Sequence, residues 1–181
     1  MPSRAVSTAF VRHLWRRFRR NRRGAAAVEF ALVAPVFFAL LFAIIETGIM
    51  FFASQVLETV TQESGRMILT GQAQTASYTQ AQFKNFVCSQ IPALLFTCAN
   101  ISVDVESYSS FASVVINSQI DTNKNFINNM QYNPGGPGDI VVVRMFYQWP
   151  LYVTGLGYNI SNLSGNQRLL VATAAFRNEP Y

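Results

Sequence analysis

Histidine is almost absent from this 181-residue chain, and the position of its single copy matters. His13 falls in the N-terminal arm, so the body has no imidazole for a Ser-His or Cys-His dyad. Cysteine is scarce as well. Cys88 and Cys98 are the only pair, and with no histidine beside them they cannot complete a zinc site. Charged residues make up 13% of the chain, and no acid precedes Glu29. Gly155-Leu156-Gly157 lacks the third glycine and the preceding strand of a dinucleotide loop. No internal repeat is visible. We therefore expect no enzyme, no cofactor, no metal and no small-molecule substrate.

The acids missing from the start leave a strongly basic arm. Residues 1–24 contain Arg4, Arg12, Arg16, Arg17, Arg19, Arg20, Arg22 and Arg23. The remainder sets six basic residues against nine acids, a balance of −3, so the net +5 belongs to the arm. A nucleic-acid face needs its basic residues spread over a folded surface, and we expect no nucleic-acid partner. A basic flank beside an apolar run follows the positive-inside rule instead, which keeps the N-terminus cytoplasmic. The body then lies across the membrane.

From Ala25 to about Ala53 the chain is apolar, with no charge between Phe30 and Ile45. A bilayer core needs ~20 apolar residues at ~1.5 Å rise each, so one span fits. Two glutamates interrupt this segment. Glu29 stands fifth from Ala25, and an ionisable group near the start of a spanning helix is costly enough to mark a function. Glu46 falls ~31 Å along such a helix, where it meets headgroups and water or contacts a partner helix. Pro35, lacking an N–H, should bend the helix. A cleaved secretory signal fits poorly: its apolar stretch is ~7–15 residues, and here Phe51 would take the −3 position for a cut after Ala53. The Arg16-Arg17 pair is ordinary in so basic an arm.

Past the membrane the helix is expected to continue over 54–72, with Val56, Leu57, Val60, Met67 and Ile68 forming an apolar stripe. Gly71 suits its C-terminal cap, and Gln72 to Ser77 reads as a loop. The exported domain then covers 73–181. Thr79 can cap a helix to Phe86, and Pro92 breaks or restarts it. Ile101 to Tyr108 alternates like a half-buried strand, putting Asp104 and Glu106 on its solvated side. Val114 to Ile116 extends or re-forms that strand. Asn133-Pro134-Gly135-Gly136-Pro137-Gly138 is a turn. Ile140 to Tyr147 is the strongest strand, and Arg168 to Phe176 suits a strand or a helix. Tyr147, Trp149 and Tyr152 form an aromatic cluster used in packing or as a contact surface. The fold class is α+β: a long helix laid on a small antiparallel sheet. Oxidising compartments favour disulfides, so Cys88 and Cys98 should bond. One straight helix would hold them ~15 Å apart, so the bond needs the turn at Pro92. Closing so short a loop contributes ~2–3 kcal/mol.

Several stretches together carry a family resemblance. They are Ala26-Ala27-Val28-Glu29-Phe30-Ala31-Leu32-Val33-Ala34-Pro35, Ile44-Ile45-Glu46-Thr47-Gly48 and the Cys88…Cys98 pair ahead of Val103-Asp104-Val105. Pro134-Gly135-Gly136-Pro137-Gly138-Asp139-Ile140-Val141-Val142-Val143 and Ala172-Thr173-Ala174-Ala175-Phe176-Arg177-Asn178-Glu179-Pro180 complete them. The chain resembles the TadE-like minor pilins, or pseudopilins, of bacterial tight-adherence (Tad/Flp) pili. The short body favours these over the related TadG-like proteins, and Thr47 departs from the aromatic or apolar residue common there. The resemblance implies a pilin-like fold and a cut by prepilin peptidase between Gly24 and Ala25. It also implies that Glu29 pairs with the new N-terminus of a neighbouring subunit. The implied partners are that peptidase, other pilins and the Tad inner-membrane assembly platform. The implied location is the inner membrane, single-pass, with a cytoplasmic N-terminus and a periplasmic body that either stays at the membrane or is incorporated in the pilus. The alternative is an uncleaved, signal-anchored periplasmic binding or adhesion domain.

Overall fold

A computed structural model describes residues 12, 15–16, 24–154 and 158–181. Most of the basic arm, His13 and the Gly155-Leu156-Gly157 stretch lie outside the described residues. The chain divides into two compact units, Met1–Phe42 and Ala43–Tyr181. Helix α1 (Ala25–Leu69) begins in the first and ends in the second, and Pro35 lies inside it.

In the first unit the helix is an apolar rod. Val28, Phe30, Leu32, Val33, Val36, Phe37, Leu40 and Phe42 are all exposed, so no protein face covers them. Leu, Phe, Ala and Val in such density leave no polar side for water. The helix is long and apolar enough to cross a membrane.

The second unit is built on a one-sided helix. Ala43, Met50, Ala53, Leu57, Val60, Thr61, Ser64 and Ile68 are buried, at the three- and four-residue steps that keep one face inward. Leu57, Val60 and Ile68 thus sit at the centre of the expected stripe, with Val56 and Met67 only partly buried at its margins. That face packs on three antiparallel strands in the order β1-β2-β3: β1 (Ile101–Tyr108), β2 (Ile140–Pro150) and β3 (Gln167–Arg177). In register, Val103 pairs with Met145 and Val105 with Val143. On the other side of β2, Tyr147 pairs with Leu170 and Met145 with Ala172. These residues share the core with Leu57, Val60 and Ile68. Close approach is needed where Gly65 faces β3: a Cβ there would lie 2.9 Å from Phe176 Cε1.

The helix ends at Gly71, whose φ of +73° only glycine adopts without strain. The Tyr181 ring covers it, and the Glu179 N–H donates to Leu69 O at 2.9 Å. Gln72 to Ser77 is not wholly a loop, because a single turn, α2, forms at Gln72–Thr75. The Gln74 side chain steadies it by donating to Ile68 O and Pro134 O. Helix α3 (Gln80–Gln90) starts on the expected Thr79, which forms a capping box with Gln82. It buries Phe83 and Val87. The chain then reverses at Pro92, whose carbonyl accepts from Leu95 and Phe96, and Cys88 bonds Cys98 with Cα atoms 5.6 Å apart.

β2 is buried on both faces along Ile140 to Tyr147, which explains its unbroken apolar run. Its second face is covered by the irregular chain between β1 and β2, where Ile120, Phe126 and Met130 pack on Phe146, Leu163 and Leu169. Two expectations change here. Val114 to Ile116 forms no strand and leaves Val115 and Ile116 exposed. Asp104, expected on a solvated side, is 1% exposed, because that side of β1 lies under the same covering chain. The glycine-rich turn before β2 is irregular as expected, and the Asn178 amide holds it by donating to Pro134 O and Gly136 O.

Candidate functional site

The N-terminal site is assembled by one turn of helix. Gly24 is exposed immediately before α1, and a Cβ placed on it would meet nothing within 4 Å. Ala25 opens the helix, and Glu29 follows one turn later on an exposed surface between Val28 and Phe30. Among the described residues Glu29 has neither an ion-pair nor a hydrogen-bond partner. A carboxylate standing alone in an apolar sleeve is destabilising in lipid unless something neutralises it. The arrangement therefore presents an accessible peptide bond at 24–25 and, close behind, an acid with no partner among the described residues.

Glu46 behaves differently. Its carboxylate accepts from the backbone N–H of Tyr152 at 2.5 Å and of Val153 at 3.1 Å. Those amides belong to the chain leaving β2, so the acid straps that segment to α1. The neighbouring Thr47 hydroxyl donates to Ala43 O at 2.7 Å and is hydrogen-bonded to the Tyr158 hydroxyl. Thr47 thus has a partner of its own. Tyr152 is 85% exposed, whereas Tyr147 and Trp149 pack edge-on against Phe96 at 4.9 and 6.2 Å between ring centres. Packing accounts for those two rings and not for Tyr152.

A third polar centre lies inside the sheet. Arg144 sits directly across from Asp104, and its Nη2 and Nε donate to Asp104 Oδ2 at 2.6 and 3.1 Å. Nη2 also reaches Glu106 Oε1 at 3.2 Å, and Nη1 reaches Asn117 O at 3.2 Å. The second Asp104 oxygen accepts from the Gln131 N–H at 2.7 Å, and the guanidinium lies 5.5 Å from the Phe146 ring centre. Burial, and the bond it donates to Glu106, raise the Tyr108 hydroxyl above its usual range. Arg144 fills the place a cation would take between the two acids. This network is architecture, joining β1 to β2 and to the chain that covers them. Among the described residues no three metal-ligating side chains cluster.

An open groove of about 460 Å³ runs beside β1, lined by Gln80, Lys84, Ile101, Val103, Asn128 and Met130. It gathers one lysine and no second titratable group, too little to support acid–base chemistry. Sequence reasoning pointed to Gly24, Ala25, Glu29, Glu46 and the cysteines. It missed the Tyr152 and Val153 amides as the donors to Glu46, Tyr158 as the partner of Thr47, and Arg144 as the partner of Asp104. Backbone amides carry no sequence signal. The Arg144 signal was there: a lone arginine inside a valine-rich strand needs a buried acid.

The family model described as TadE-like protein matches residues 24–66, which include Gly24, Glu29 and Glu46. That segment is TadE-like, in agreement with the resemblance drawn from the residues, and it suggests a protein related to the Tad pilus. No curated protein and no solved structure matches the chain.

Proposed function

We propose that this chain is a minor pilin or pseudopilin of a Tad pilus, cut by prepilin peptidase between Gly24 and Ala25. The observation that carries the reading is the pairing of an exposed Gly24–Ala25 junction with an exposed Glu29, without a partner among the described residues, inside the TadE-like segment. Hydrolysis at that bond frees an amine on Ala25. At the fifth position of the cut chain, Glu29 needs a cation in a low-dielectric setting, and the Ala25 amine of a neighbouring copy or pilin supplies one. Each group relieves the other's desolvation, so subunits associate side by side through their spans. The arginine-rich arm keeps the N-terminus cytoplasmic, where the assembly platform meets it, and leaves the second unit periplasmic. The protein catalyses nothing in this scheme; it is substrate, then building block.

The test is the N-terminal sequence and intact mass of the protein purified from membranes of cells with an active peptidase. A chain starting at Ala25 is expected. One still starting at Met1 would overturn the proposal and leave a signal-anchored binding or adhesion domain. Glu29→Ala is expected to insert normally and to abolish assembly, and normal piliation in that strain would end the charge-pair step.

A further inference from the structure

The outward surface of α1 changes character inside the second unit. Ile44, Ile45, Ile49, Phe51 and Phe52 are exposed, whereas the exposed positions that follow are polar: Gln55, Thr59, Gln62 and Glu63. Counted from Ala25, Phe52 stands ~40 Å along the helix, close to the ~40–45 Å of a bilayer with its headgroups. Apolar exposure therefore ends where the outer limit of a bilayer falls. Glu46 and Thr47 lie ~8–9 Å inside that limit. The strap they hold lies there too, because the Tyr152 N–H is 2.5 Å from the Glu46 carboxylate.

We infer that Tyr152, Val153 and Tyr158, held to α1 by Glu46 and Thr47, form a membrane-interface anchor, resting in the layer where lipid headgroups meet hydrocarbon. Its chemistry suits that layer. The 85% exposed Tyr152 offers an amphipathic ring of the kind enriched at bilayer surfaces, and no charged residue occurs between Trp149 and Arg168. The one acid at this level, Glu46, is already satisfied by two backbone amides and needs no counter-ion from the lipid. The exported unit then sits on the bilayer and is not held clear of it by a stalk. This rests on the spanning reading of α1, not on processing or assembly.

Depth-dependent fluorescence quenching tests it, with the full chain in phosphatidylcholine bilayers carrying bromines at shallow or deep acyl positions. In a Trp15→Phe, Trp149→Phe background, which removes both native tryptophans, Tyr152→Trp becomes the reporter. Phe37→Trp marks the span and Val115→Trp the water-facing side of the exported unit. Shallow bromines are expected to remove most of the emission of the Tyr152→Trp chain, and deep ones distinctly less. The Phe37→Trp chain should show the reverse order, and the Val115→Trp chain no loss. If Tyr152→Trp keeps its emission while Phe37→Trp loses it, the strap is clear of lipid, and its apolar surroundings serve a protein neighbour. If Phe37→Trp also keeps its emission, the span itself is refuted.

Discussion

Replacing Glu46 by alanine removes the carboxylate that accepts from Tyr152 and Val153 and leaves both amides without a partner. A hydrogen bond to a charged group contributes ~1.5–3 kcal/mol, so two would reach ~3–6 kcal/mol if water were excluded. Glu46 is only partly buried and water competes for it, so about a third to a half of that survives. A loss of ~2 kcal/mol corresponds to a ~30-fold rise in the open population of the strap. Glu46→Gln keeps one carbonyl acceptor and loses the charge, for a smaller cost of ~1 kcal/mol, or ~5-fold. Amide hydrogen exchange at Tyr152 and Val153, measured on the full chain in detergent, reads this directly. Both amides should exchange faster in that order of variants, while those of β2 stay protected. Unchanged exchange in Glu46→Ala would refute the strap. If that variant also lost assembly, Glu46 would act through a second helix, the other role its position in the sequence allowed.

Two further perturbations have clear signs. Asp104→Leu or Arg144→Met alone strands a buried charge and should cost ~3–5 kcal/mol in urea unfolding followed by Trp149 fluorescence. The double variant should recover most of the loss, and singles within ~0.5 kcal/mol of the parent would show that the pair does not matter. Tyr132 tests alkaline stability: burial, with the nearby Tyr78 adding to it, pushes its hydroxyl up to about 12. A phenol raised in the fold keeps its full stability below the unfolded value near ~10, and that stability falls as pH rises toward the folded value. Tyr132→Phe should flatten this decline. It should cost little near neutrality, since the buried hydroxyl has no hydrogen-bond partner among the described residues. An unchanged slope above pH ~10 would remove Tyr132 as its source.

The elements legible in the sequence were those whose cause is local. Thr79 announces a helix start because its hydroxyl bonds an amide three residues on, and Ile140 to Val143 announce a strand buried on both faces. Cys88, Pro92 and Cys98 describe a reversal and a bond within ten residues. Gly24 and Glu29 are singled out by a local cue too, an acid five residues past the glycine that ends the basic arm. What stayed hidden depends on register. Val103-Asp104-Val105-Glu106 alternates identically whether its polar side meets water or Arg144, and only the pairing of β1 with β2 decides. The single turn Gln72–Thr75 has no apolar period to betray it. Arg168 to Phe176 reads as a third strand with a weaker signal, because its leucines and alanines also suit a helix, and pairing with β2 bears the strand out. The donors to Glu46 lie 106 and 107 residues away and are main-chain groups.

One feature of the second unit bears on how it would carry load. Its stretch of α1 is tied at both ends to the sheet: near the start by Glu46 and Thr47 to the chain after β2, and at the end by Leu69 to Glu179 after β3. Between those ties the helix face from Met50 to Ile68 is interlocked with the strands. Tension applied through the span cannot peel the helix away one contact at a time. It must shear the whole packed face at once, which makes the sheet a splint for this part of the helix.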